Sequence, residues 1–104
     1  MIKHISSKEE FENTIKEGVY LVDFFATWCG PCRMLTPVLE EVSEEDLIEA
    51  TILKIDVDEV SDVPARYGVQ YIPTMVLIKD GKTVDIHTGF LSKDAIVEFV
   101  KKAY

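Results

Sequence analysis

Residues 19–26, Val-Tyr-Leu-Val-Asp-Phe-Phe-Ala, form an almost unbroken apolar run. A strand with one wet face alternates apolar and polar side chains. A run apolar at odd and even positions alike has to bury both faces, as strands do in parallel sheets with a layer on either side. Close behind it come Cys29-Gly30-Pro31-Cys32, and then Leu35, Val38, Leu39 and Val42 at i, i+3, i+4, i+7 spacing. Pro31 suits a first helical turn, because its backbone angle is preset and its missing N–H would have no partner there. Pro37 falls inside the pattern, which continues past it, so a kink is expected rather than a stop. Residues 51–57 read as a second buried strand. Strand, helix, strand is a βαβ unit with parallel strands and, by the general rule, a right-handed crossover.

The remaining segments extend this α/β reading. Ser7-Lys8-Glu9-Glu10 has the form of a capping box ahead of Phe11 and Ile15, with Gly18 as the stop. A short helix is expected over about 60–67, ending at Gly68. Thr74–Ile78 is a third apolar strand, Asp80-Gly81 a tight-turn signal, and residues 83–88 an antiparallel return strand. Ser92 caps a last helix in which Ile96, Phe99, Val100 and Ala103 keep helical spacing. With 104 residues and neither repeat nor linker, a single domain over 1–104 is expected, a mixed sheet with helices on both faces.

Charge and composition narrow the function. A net charge of −8 disfavours nucleic acid and anionic membranes as partners, since both call for a basic patch. Acidic residues gather at Glu40, Glu41, Glu44, Glu45, Asp46 and Glu49, and again at Asp56, Asp58, Glu59 and Asp62. These read as a solvated helix face and a polar connection. A calcium loop fails at Val60 and Ser61, where a ligand and a glycine belong. Met1–His4 passes directly into a polar stretch, and no apolar run reaches membrane-spanning length, so neither a leader nor a span is expected. A cytoplasmic, reducing location follows as an expectation. There a cysteine pair is catalytic or metal-binding more often than structural.

Cys29 and Cys32 are the only cysteines. At i and i+3 in a first helical turn they share a face and can close a small disulfide ring. So small a loop removes little chain entropy, which makes a bracing role weak and reversible thiol–disulfide exchange the leading reading. Free N–H groups and the helix dipole favour a thiolate at Cys29, whose pKa should lie below that of a free cysteine. Cys29 is assigned as the exposed nucleophile, and Cys32, one turn in, as the buried resolving thiol. A static disulfide or inert thiols are the plain alternative. Zinc would need two more ligands, and only His4 and His87 remain, without a ligand spacing.

Asp23 interrupts the apolar run six residues before Cys29. Burial would raise its pKa and fit it to exchange a proton with Cys32, although a purely structural carboxylate reads the same way. Lys54 intrudes likewise in the second strand and would pair with Asp23 if the strands are neighbours; otherwise it faces outward. Trp28, on a loop beside a reactive thiol, is a candidate contact surface, with core packing as the alternative. Met34 is read as packing. Ile72-Pro73-Thr74 opens a strand with a proline, and Gly89 permits close backbone approach or a simple turn.

Trp28-Cys29-Gly30-Pro31-Cys32-Arg33 resembles the active-site signature of the thioredoxin family, and the resemblance runs from about Ile2 to Tyr104. It implies a central five-stranded sheet in the order 1-3-2-4-5 flanked by four helices. It implies that Asp23 is the buried acid, Lys54 its partner, and Ile72-Pro73-Thr74 the cis-proline loop. Trp28, Ile72, Pro73 and Gly89 would bind an extended target segment, with Gly30 and Pro31 tuning the redox pair. The implied function is reduction of protein disulfides, with no cofactor beyond the Cys29–Cys32 pair, re-reduction by a thioredoxin reductase, and a monomeric state. A redox-independent binding module using the same groove is the alternative. Three residues depart from the common family pattern. Phe25, where many bacterial members carry a tryptophan, costs packing bulk rather than chemistry. Arg33 keeps the charge of a common lysine. Tyr71, at a loop position that is often small, puts target preference in question.

Overall fold

The computed structural model describes residues 1–104. Chain order is β1 (Ile2–His4), α1 (Lys8–Thr14), β2 (Val19–Phe25), α2 (Gly30–Glu44), β3 (Thr51–Asp56), α3 (Asp62–Arg66), β4 (Thr74–Lys79), β5 (Lys82–Thr88) and α4 (Lys93–Val100), closed by a 3₁₀ turn at Lys101–Ala103. The five strands form one sheet in the order β1-β3-β2-β4-β5. β1, β3 and β2 run parallel, while β4 lies antiparallel to β2 and β5 antiparallel to β4. The fold class, strand order and helix count match those implied by the family resemblance.

The apolar run of β2 is central, as its two-sided burial requires. Leu21 faces the layer of α2 and α4, packing with Leu35, Leu39 and Ile96. Val22 and Phe24 face the other layer, with Phe11 of α1 and Val63 of α3. Each layer hides apolar area worth roughly 25 cal/mol per Å², so the sheet is held from both sides. β1 is the element the apolar pattern missed: it is three residues long and has no buried residue of its own. Pairing with β3, from Ile2 opposite Ile52 to His4 opposite Lys54, makes it a strand.

Local signals act much as expected. Ser7 Oγ accepts the Glu10 N–H at 3.1 Å, while the Glu10 carboxylate accepts from Ser6 N–H at 2.8 Å, one residue earlier than the standard box. Asp80 and Gly81 take positive φ, 49° and 80°, in the β4–β5 turn. α2 continues through Pro37 to Glu44. Met34 corrects an expectation: it is 63% exposed on the outer face of α2, because the apolar stripe at Leu35, Leu39 and Val42 turns position 34 to solvent.

Candidate active site

The site forms where β2 ends and α2 begins. Cys29 is the N-cap of α2, with extended backbone (φ −86°, ψ 115°), and its Sγ accepts the Cys32 N–H at 3.2 Å. A sulfur thus stands where a serine or aspartate oxygen usually caps a helix, and the same donors would hold a thiolate there. Cys29 and Cys32 are joined as a disulfide with Cα atoms 5.2 Å apart. In this oxidised state the expected exposure of Cys29 is not seen. It is 5% exposed and Cys32 2%, because Ala26, Phe25, Val57 and Ile72 pack around the ring.

The loop before β4 closes over the disulfide. The Ile72–Pro73 bond is cis. The Ile72 carbonyl oxygen lies 3.8 Å from Cys29 Sγ, a contact, since an oxidised sulfur has no proton to donate. The Pro73 carbonyl accepts the Gly89 N–H at 2.8 Å, tying the loop to the end of β5. Gly89 has φ +104°, which L side chains rarely adopt, so glycine lets the chain turn and donate there. The Ile72 N–H and carbonyl have no backbone partner and form an unpaired edge beside the sulfur.

A model of the thioredoxin family matches residues 2–102. The thioredoxin of Chlamydia trachomatis is 46% identical over 98 residues, covering 94% of this chain and 95% of the relative. That of Bacillus subtilis is 45% identical over 97 residues, covering 93% of each. The chain belongs to the thioredoxin family. Among solved thioredoxins, a point mutant of the Halobacterium salinarum protein superposes with a TM-score of 0.89 at 37% identity, covering 98% of this chain and 89% of that one. The Plasmodium falciparum thioredoxin gives 0.87 at 35% identity, covering 98% and 99%. The protein is therefore a thiol–disulfide oxidoreductase acting by dithiol–disulfide exchange, and Cys29–Cys32 is its redox-active disulfide.

Beneath this thioredoxin active site lies a buried pair. Asp23 is 1% exposed, and neither carboxylate oxygen has a hydrogen-bond partner. Burial pushes its pKa up from 3.8 to about 6, against the opposing pull of Lys54. Register places Asp23 directly beside Lys54 on β3, and Lys54 Nζ stands 3.7 Å from Oδ2. At that distance the two form an ion-pair contact rather than a hydrogen bond, so desolvation dominates. Lys54 does not face outward. Its ammonium lies 4.6 Å from the Phe25 ring centroid and donates to Thr36 Oγ1 at 2.9 Å; Thr36 Oγ1 donates at 3.2 Å to the Cys32 carbonyl. Thr36 was missed in the sequence, though its place four residues after Cys32 puts it on the same helix face.

Trp28 is 66% exposed, which settles core packing against it, and its Nε1–H donates to Asp58 at 2.9 Å. With Ile72 it flanks a groove of about 300 Å³ lined also by Val57, Pro64, Ala65 and Val69. Gly89 does not line this groove; its contact with the site is the N–H it donates to the Pro73 carbonyl. In the sequence Asp58 reads only as part of a polar connection and α3 only as a short helix, because groove walls assemble from segments distant in sequence. The Arg33 guanidinium donates to the Thr27 carbonyl at 3.0 Å, across the turn that carries Cys29. A separate cleft of about 330 Å³ beside Leu47, Val97 and Tyr104 lies at the opposite end of α2 and contains neither cysteine. No helix is long and apolar enough to cross a membrane.

Proposed function

We propose that this thioredoxin works in the reducing direction, as a general protein-disulfide reductase. Cys29, as thiolate, attacks one sulfur of a target disulfide and expels the other as a thiolate. Cys32 then loses its proton and attacks Cys29, forming the Cys29–Cys32 bond and releasing the second target sulfur. Two electrons pass to the target, which takes up two protons. Asp23 is the group that accepts the Cys32 proton, and Lys54 holds it poised near neutrality. Trp28, Ile72 and Pro73 receive the target segment, its backbone pairing with residue 72 as an added strand, while Gly89 fixes Pro73. Gly30 and Pro31 tune the redox pair.

The observation that carries this reading is the Cys29 sulfur capping α2 beside the unpartnered backbone of Ile72. The chain acts as a monomer in the cytoplasm, needs no cofactor, and is re-reduced by a thioredoxin reductase. Family membership and the absence of any cysteine outside the redox pair support this. Insulin reduction coupled to NADPH and a thioredoxin reductase tests it. Turnover is expected, with loss in Cys29→Ser and Cys32→Ser. A pair that stays mostly reduced against oxidised glutathione would refute the reducing direction.

A further inference from the structure

Asp23 and Lys54 are two members of a longer row. His4 on β1 is the register partner of Lys54, and Lys54 that of Asp23. Register neighbours present side chains on the same sheet face, so an imidazole, an ammonium and a carboxylate stand side by side under α2. The His4 ring packs edge-on against Phe25, with centroids 6.4 Å apart, and Phe25 carries the Lys54 ammonium on its face. A cleft of about 330 Å³ opens at this sheet edge, lined by Ile2, His4, Thr36, Glu40 and Lys54. Lys54 lines this cleft together with His4 and Glu40, whereas Asp23 lies buried behind it.

We propose that His4 is a positioning residue for the buried acid: from the end of the row and the wall of the cleft, its charge sets how tightly Asp23 holds its proton. This rests on the reading of Asp23 as the acceptor in the resolving step. An imidazole can stand neutral or protonated. Protonated, it adds a second cation to the Lys54 side and favours the Asp23 carboxylate; neutral, it leaves Lys54 alone. Other charged or titratable groups surround the row. Asp56 follows on β3, Glu40 faces the cleft from α2, Cys32 sits above on α2, and His87 on β5 lies two strands away beyond Met75, packed on Phe99. None of them changes when position 4 is varied.

The test is the Asp23 titration followed by carboxyl ¹³C NMR in the whole oxidised protein, for wild type, His4→Gln and His4→Lys. Two strand spacings separate His4 from Asp23, about 9.6 Å. Across that distance in a partly wetted cleft, one charge moves the Asp23 midpoint by about half a pH unit. The expected order is His4→Lys lowest and His4→Gln highest, with the spread shrinking in high salt. Identical midpoints, or an order insensitive to salt, would overturn the proposal. Single-turnover rates of the resolving step should follow the midpoints by up to about threefold between pH 5.5 and 7. If midpoints shift in the expected order and the rates do not, the influence of His4 on Asp23 stands and the proton-acceptor role of Asp23 falls.

Discussion

Replacing Asp23 by asparagine should make the oxidised protein more stable at neutral pH, although the residue is buried in the middle of the central strand. The folded-state pKa of Asp23 is raised from 3.8 to about 6. The native state therefore binds this proton more tightly than the unfolded chain does. Stability is fully present below pH 3.8 and is lost as pH rises through about 6. At about 1.36 kcal/mol per pH unit, that interval amounts to about 3 kcal/mol at pH 7. Asparagine keeps the shape and removes the charge. Its amide remains without a partner, as the carboxylate was, so the expected gain is about 2–3 kcal/mol at pH 7. For 104 residues that corresponds to a rise in Tm of about 9–14 °C. Urea unfolding followed by far-UV circular dichroism, at pH values from 3.5 to 8 with the disulfide intact, measures it. The gap between variant and wild type should be near zero at pH 3.5 and full above pH 7. A gap independent of pH, or an asparagine variant less stable at pH 7, would refute the claim that the native state suppresses this charge.

Three further outcomes are expected. Asp23→Asn should slow the attack of Cys32 on the mixed disulfide more than the first attack by Cys29; equal slowing in rapid-quench experiments would remove the proton-acceptor role. Lys54→Met should push the Asp23 midpoint above about 6, because the opposing cation is gone, and an unchanged carboxyl titration would mean the 3.7 Å contact carries no energy. Gly89→Ala should cost about 1–2 kcal/mol by forcing a side chain onto φ +104°, since open space around its Cβ leaves backbone strain as the only term. A Tm unchanged in that variant would show that the turn relaxes.

Much of the site was legible because its signals are local. The Cys29–Cys32 spacing and the helix pattern behind it place one sulfur at a helix N-terminus whatever the rest of the chain does. Less could be read where burial depends on what lies overhead. Met34 has the helical spacing of a packing residue, yet only its angle to the Leu35–Leu39 stripe sends it to solvent. The apparent freedom of Cys29 likewise vanished once Ile72, forty-three residues later, was laid beside it. Thr36 gained its place only when Lys54 arrived from another strand.

What the sequence determined by itself is the kind of layer each segment can occupy. An apolar run with no wet face has to be central, a capped amphipathic segment has to be a covering helix, and a proline at the mouth of a strand has to stand at its edge. Tertiary structure decided which strands became neighbours. That choice alone put a lysine beside Asp23, made a strand of three residues at the N-terminus, and set His4 at the end of a charged row. Periodicity along the chain is a property of the covalent sequence, whereas electrostatic company is chosen across hydrogen-bonded edges that no local pattern encodes.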